Sequence, residues 1–474
     1  MAARDGASDV EGLSAAELAR AIRELTDWAT AQTPAEEPPL RKRIAEHLRC
    51  DPAELPVVSR TFSPWERANL QVALDAYLAE EDRSHEFVGL SAQRGWHMGL
   101  AELAQRPQGG AGMGIVFSSG QQSGPQEHVT VQVGERTIVC VAAGLFLIAD
   151  GEERLVVAVH GAEQHGPEPG IDLQAMAATR EPAERFLSDI DRLARVHNVY
   201  RGRVLGVAGS PWGGLSLEVR ELPAIARDRI VLPDGVLERI ERHTIGFAEQ
   251  AQRLRDSGRH VKRGLLLHGP PGTGKTLTAM YLAGQMPERT MLILTGEGLN
   301  SIGPACAVAR DLAPSMVIVE DVDLIALDRD EYSSSAVLFE LLNEMDGLNA
   351  DLDVIFLLTT NRADRLEPAL ASRPGRVDLA AELPLPDNEG RRRLLDLYSE
   401  GLRVDASELP ALVARTEGAS PAFIRELLRR AALLASETSE GELTVDDRTL
   451  VAALDELTTD AGPLTERLLG MQRP

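Results

Sequence analysis

Lysine is nearly absent. The 474-residue chain has three, Lys42, Lys262 and Lys275, against 46 arginines. The imbalance reads first as a coding bias towards arginine, and it makes each lysine worth inspecting. Cysteine is equally scarce. Cys50, Cys140 and Cys306 lie far apart, are odd in number and form no C-x-x-C pair. That excludes a disulfide framework and a zinc module and suits a reducing cytoplasm. The first 20 residues lack the apolar stretch of a signal peptide. The longest apolar run, Ile138 to Ile148, is too short to span a bilayer. A positive field is missing too. Formal net charge is −24, with 32 acids against 21 bases up to residue 225 and 41 against 28 beyond it. Neither part offers the bulk attraction that nucleic acid or an anionic membrane favours. The expectation is a cytoplasmic chain with no membrane span and no nucleic-acid partner.

Apolar residues make up 43% and charged residues 26%. This is ordinary globular usage, and the length suggests about three domains. Residues 1–106 read as a helical N-terminal region. Leu13, Leu18, Ile22 and Leu25 recur at helical spacing, and a second helix is predicted from Ser63 to Glu81 with Pro64 at its first position. Residues 107–127 read as a Gly/Gln/Ser-rich linker. The GGAGMG run inside them is followed by no helix signal, so it is no dinucleotide fingerprint. Residues 128–225 read as a small α+β domain of β-branched strands and a helix from Glu181 to Val196. His160, Glu163 and His165 match no standard metal-ligand spacing and read as ordinary loop residues. A long helix is expected over Gly235 to Asp256. Short apolar strands then alternate with helices to about residue 386, which argues for a parallel sheet covered on both faces. Residues 387–457 read as helical, and 458–474 as a tail.

One octapeptide is specific. Gly269-Pro270-Pro271-Gly272-Thr273-Gly274-Lys275-Thr276 fits G-x-x-x-x-G-K-[ST], after an apolar strand and opening a helix. Glycines let backbone N–H groups curl round phosphates, and the helix N-terminus adds partial positive charge. Lys275 then reaches the β- and γ-phosphates, and the Thr276 hydroxyl serves Mg²⁺. About 45 residues on, the strand Met316-Val317-Ile318-Val319 ends in Glu320 and Asp321. Acids at the end of a buried strand are costly without a partner. Mg²⁺ on Glu320, and an attacking water oriented by Asp321, supply one. Asn361 ends the next apolar strand, where it can hold that water. Arg373 and Arg376 flank a Pro-Gly turn and, presented to a neighbouring subunit, would be arginine fingers.

Together these residues resemble the AAA family of ATPases over roughly residues 226–457. Gly269–Thr276 looks like the Walker A, Glu320-Asp321 occupies the Walker B slot, and Asn361 matches sensor 1. Arg373 and Arg376 match the paired fingers. Met345-Asp346-Gly347-Leu348 resembles the intersubunit signalling motif, and Thr416–Ala422 the sensor 2 region. The resemblance implies an α/β P-loop core (226–386) with a C-terminal helical lid (387–457), ATP and Mg²⁺ as ligands, and a homohexamer with fingers acting in trans. It implies ATP hydrolysis coupled to remodelling or translocation of a protein client or adaptor recruited by residues 1–225. An ATP-controlled assembly switch is the alternative.

Three departures stand out. The acids run Glu-Asp where the family has Asp-Glu, an order similar to mitochondrial AAA translocases of folded protein; Asp321 is shorter by one methylene, ~1.5 Å. The segment matching the pore loop, Ser301-Ile302-Gly303, has no aromatic. Pro421 replaces a glycine at sensor 2, where a helix start tolerates it.

Overall fold

A computed structural model describes residue 20 and residues 37–90, 99–106, 123–161, 170–209, 215–323, 340–345, 352–364, 377–405, 409–438 and 444–460. These form two compact units. The expected N-terminal helix before residue 37, most of the linker, Glu163, His165, Arg373, Arg376 and Asp346–Leu348 lie outside the described residues.

The first unit runs to Val199. Strands β1 (Val57–Phe62), β2 (Arg83–Gly89), β3 (Glu127–Val133), β4 (Arg136–Asp150), β5 (Glu153–His160) and β6 (Ile171–Ala177) form one antiparallel sheet, with path β1-β6-β5-β4-β2 and β3 paired to β4. Successive residues of a strand face opposite sides. Here both sides are apolar. Phe146, Ile148, Leu155 and Val157 pack with Phe186 and Ile190 of the helix Arg180–Val196. Leu145, Leu147, Val156 and Ala158 pack on the other face with Ile44 and Leu100. Covering both faces explains why β4 and β5 read as near-continuous apolar runs rather than as an alternation.

This arrangement corrects the separation at residue 106. The strands β1 and β2 precede that boundary yet pair with β6 and β4, so residues 57–177 share one sheet. The pairings span from about 60 to over 100 residues, and local periodicity carries no trace of them. The helix expected from Ser63 is a 3₁₀ turn, Pro64–Glu66, followed by Arg67–Leu78. The Ser63 N–H donates to the Glu66 carboxylate at 2.8 Å, closing the start.

The second unit holds a seven-stranded sheet. Its strands are β7 (Val204–Gly209), β8 (Leu215–Arg220), β9 (Arg263–His268), β10 (Thr290–Leu294), β11 (Ser315–Val319), β12 (Val354–Thr360) and β13 (Leu379–Glu382), in the order β13-β9-β12-β11-β10-β7-β8. All pairs are parallel except β7–β8. Every residue of β10, β11 and β12 is buried, as a parallel sheet covered on both faces requires. At ~1.5–3 kcal/mol for each buried Leu or Ile, this block is the main apolar store of the unit.

The hairpin β7–β8 corrects a second boundary. Its strands were expected in the 128–225 domain, but β7 pairs parallel to β10, Val204 against Met291 through Val207 against Leu294. The long helix expected over Gly235–Asp256 is two, Val236–His243 and Ile245–Asp256. Thr244 breaks it, with ψ −78° and its buried hydroxyl donating to the Ile240 carbonyl at 2.8 Å. The helices Asn388–Tyr398, Leu409–Arg415, Pro421–Thr438 and Asp447–Asp455 pack around Phe423, Ile424 and Leu427 as a separate core.

Candidate nucleotide site

β9 delivers the chain into Gly269–Gly274, and the helix Lys275–Gly284 carries it away. β9 lies between β13 and β12, where the strand order reverses. Ligands of open α/β sheets bind at the carboxyl ends of the strands at such a point. The loop needs its glycines. Gly272 has φ +78°, and a Cβ there would stand 2.7 Å from Ser420 Oγ and 2.9 Å from the Ala422 Cβ. The missing side chain lets the start of the helix Pro421–Thr438 rest on the loop, where the Ala422 N–H donates to the Gly272 carbonyl at 3.2 Å. Lys275 is buried and folds back, its Nζ donating to the carbonyls of Gly269 (3.0 Å) and Pro270 (2.8 Å). Burial pushes its pKa down to about 8, against the opposing charges of Asp321 and Asp323.

The acids gather opposite. Glu320 follows the last residue of β11. Burial holds its carboxyl above the ordinary range, the Thr276 hydroxyl donates to it and pulls the other way, and the Asp321 charge adds to the rise. Its Oε1 is buried with no hydrogen-bond partner among the described residues. Asp321 has φ +49°, the left-handed region. That conformation costs a non-glycine residue ~1–2 kcal/mol and persists only where neighbours dictate it. They do so here: the Asp321 N–H donates to Thr359 Oγ1 (3.0 Å), and Asn361 Nδ2 donates to Asp321 Oδ1 (3.1 Å).

The loop, Asp321 and Asn361 border a cavity of about 650 Å³. Apolar side chains of Ile230, Val231, Leu394 and Tyr398 line it too, together with the charged Arg229, Arg425, Glu426 and Arg429. A phosphate loop and apolar side chains in one cleft suit a nucleotide.

The structure thus brings together Gly269–Thr276, Glu320, Asp321 and Asn361. Two cleft or network residues were missed in the sequence. Asp323 had a signal, as a third acid in Glu320-Asp321-Val322-Asp323. Arg425 had none, being one of many arginines on a helix. Ile302, matched to the pore loop, is 1% exposed. The segment before it, Gly296–Ser301, packs on β7, where a Cβ on Gly298 would meet the Val207 carbonyl at 2.3 Å. Lys262 donates to the Met345 carbonyl at the edge of the segment likened to the signalling motif. His268, the last residue of β9, is half-buried.

A family profile described as "ATPase family associated with various cellular activities (AAA)" matches residues 265–385. The chain is similar to a 26S proteasome regulatory subunit 6B homolog of Encephalitozoon cuniculi, 35% identical over 42% of this chain and 55% of the relative. It is similar to the ATP-dependent zinc metalloprotease FtsH 3 of Sphaerobacter thermophilus, 34% identical over 51% and 52%. A proteasome-activating nucleotidase of Pyrococcus horikoshii is 30% identical over 53% of this chain and 70% of its own length. The chain spans about half the length of the first curated relatives it matches. The phosphate loop, the acidic strand end, the lid helices and these likenesses agree: the chain belongs to the AAA family of ATPases.

Proposed function

We propose that this chain hydrolyses ATP with Mg²⁺ in a ring of identical subunits and couples the cycle to remodelling of a protein client. The observation that carries the hydrolytic reading is the buried Glu320 carboxylate, which takes the Thr276 hydroxyl and whose Oε1 has no hydrogen-bond partner among the described residues. A buried carboxylate oxygen without a donor fits a hard cation, and Mg²⁺ takes few protein ligands when phosphates and water complete its shell. Thr276 and Glu320 would hold the ion, which when bound offsets phosphate charge.

The chain's own groups supply the rest. Lys275 leaves the Gly269 and Pro270 carbonyls for the terminal phosphates. The loop N–H groups hold the remaining phosphates, and the apolar side chains of Ile230, Val231, Leu394 and Tyr398 take the base. Asp321 accepts a proton from the attacking water, and Asn361 orients that water and steadies Asp321. Arg373 and Arg376 act on the neighbouring subunit's ATP, where such a finger is worth ~10³–10⁵ in rate. The homohexamer, client recruitment by residues 1–225 and a cytoplasmic setting belong to the same proposal. The relatives named as proteasome-activating or proteolytic ATPases support the protein client, and the charge of −24 favours it over nucleic acid.

One observation favours a second reading, remodelling or ATP-switched assembly without threading. The segment at the pore-loop position is packed down, with Leu299, Ser301 and Ile302 buried, which leaves little side chain to grip a polypeptide.

Three measurements check these statements. Lys275→Ala removes the phosphate contact and Arg376→Ala the finger. Each variant alone is inactive, and mixing them restores hydrolysis, because the first lends its fingers to the second's intact loop. No recovery contradicts fingers in trans. ATP affinity is flat below pH 8 and weakens above it, approaching ~10-fold per pH unit, since a neutral Lys275 must take up a proton on binding. A flat profile to pH 9.5 contradicts that role. With Cys50 replaced by serine, Ile302→Cys during ATP turnover reacts with a maleimide no faster than buried Cys306. Rapid labelling returns the account to threading.

A further inference from the structure

We propose that Asp323 is a positioning residue for hydrolysis, setting Asn361 against Asp321; the inference rests on the hydrolytic reading above. Regular pairing between β11 and β12 ends at Val319 opposite Leu358. Beyond it the two chains stay together through other bonds. The Val322 N–H donates to the Thr359 carbonyl at 2.9 Å, and the Asp321 N–H to the Thr359 hydroxyl. Asp323 closes this extension. Its Oδ1 accepts from the Thr360 hydroxyl at 2.8 Å and from the Asn361 N–H at 3.1 Å. Thr360 Oγ1 in turn accepts from the Arg362 N–H at 2.9 Å. The backbone of Asn361 is therefore held on one side by Asp323, and its side chain points to Asp321 Oδ1 on the other.

Asp323 is 5% exposed and forms no ion pair among the described residues. Its charge is felt by Lys275, but with no direct ion pair a buried carboxylate is costly, and a neutral side chain would fill the space more cheaply. What the carboxylate provides is a two-donor acceptor that fixes where β12 ends. Threonine at 360 and the backbone at 361 both need it. Asp321 depends on the same junction, because its left-handed backbone donates to Thr359 Oγ1 and its carboxylate accepts from Asn361. Moving Asn361 by an ångström would move the group that activates water, and misplacement of that size costs ~10²-fold in rate.

Steady-state hydrolysis, ATP binding by displacement of a fluorescent analogue, and thermal melting are measured on the full chain. The variants are Asp323→Ala, Asp323→Asn, Asn361→Ala and the double Asp323→Ala/Asn361→Ala. Asp323→Ala lowers kcat ~10²-fold, while KM and ATP affinity stay within about threefold, the pattern of a lost transition-state interaction. Asp323→Asn keeps an acceptor oxygen and recovers kcat to within about fivefold of the native chain. The double variant is no slower than Asn361→Ala by more than about twofold, because one residue acts through the other. Equal losses in Asp323→Asn and Asp323→Ala overturn the proposal, since charge rather than position would then matter. Additive losses in the double variant, or ATP affinity falling with kcat, overturn it as well. A native chain that binds ATP and releases no phosphate overturns the hydrolytic reading and this one together. Uniform silence across well-melting variants distinguishes that failure.

Discussion

The constraint on which the second unit depends is the burial of carboxylates at the end of an all-apolar strand. β11 contributes five buried residues and then turns through Glu320, Asp321, Val322 and Asp323. Charged groups in such a place must be partnered or the sheet loses stability. Each acid finds a different answer. Asp323 takes neutral donors from β12, Asp321 takes Asn361, and Glu320 takes Thr276 with one oxygen left over. The same carboxylate takes the Thr276 hydroxyl at the end of a phosphate loop whose lysine is held by its own carbonyls.

The order Glu-Asp finds a physical account in the backbone. Glu320, with the longer side chain, meets Thr276. Asp321, shorter, reaches Asn361 from a left-handed backbone. A reversal of the acids therefore leaves both poles of the site populated. The hairpin β7–β8 bears on function from the opposite edge. By pairing with β10 it gives the segment Gly296–Ser301 a surface to pack on, and Gly298 sits there because the Val207 carbonyl leaves no room for a side chain.

Much of the site was legible from residues alone. Gly269–Thr276, Glu320 and Asn361 announce themselves by strand–loop–helix context and by polar residues at ends of apolar strands. The strands β9 to β12 were legible as short apolar runs between helices. What escaped was long-range pairing. β1 and β2 have weak patterns and find partners far along the chain, and β7–β8 were recognised as strands but assigned to the wrong sheet. β13, Leu-Ala-Ala-Glu, is too short to signal by periodicity. Asp323 was visible as an acid but its role lies in two bonds to a strand 37 and 38 residues away.

The most direct test of the account is phosphate release by the native chain and by Asp321→Asn, each with ATP and Mg²⁺ and each with the cation chelated. The account predicts steady, Mg²⁺-dependent release by the native chain. The variant retains ATP but is slower by ~10²–10⁴-fold, the range of a lost general base. Equal release by both proteins, or release by the native chain that survives chelation, would contradict a hydrolytic site built on these acids.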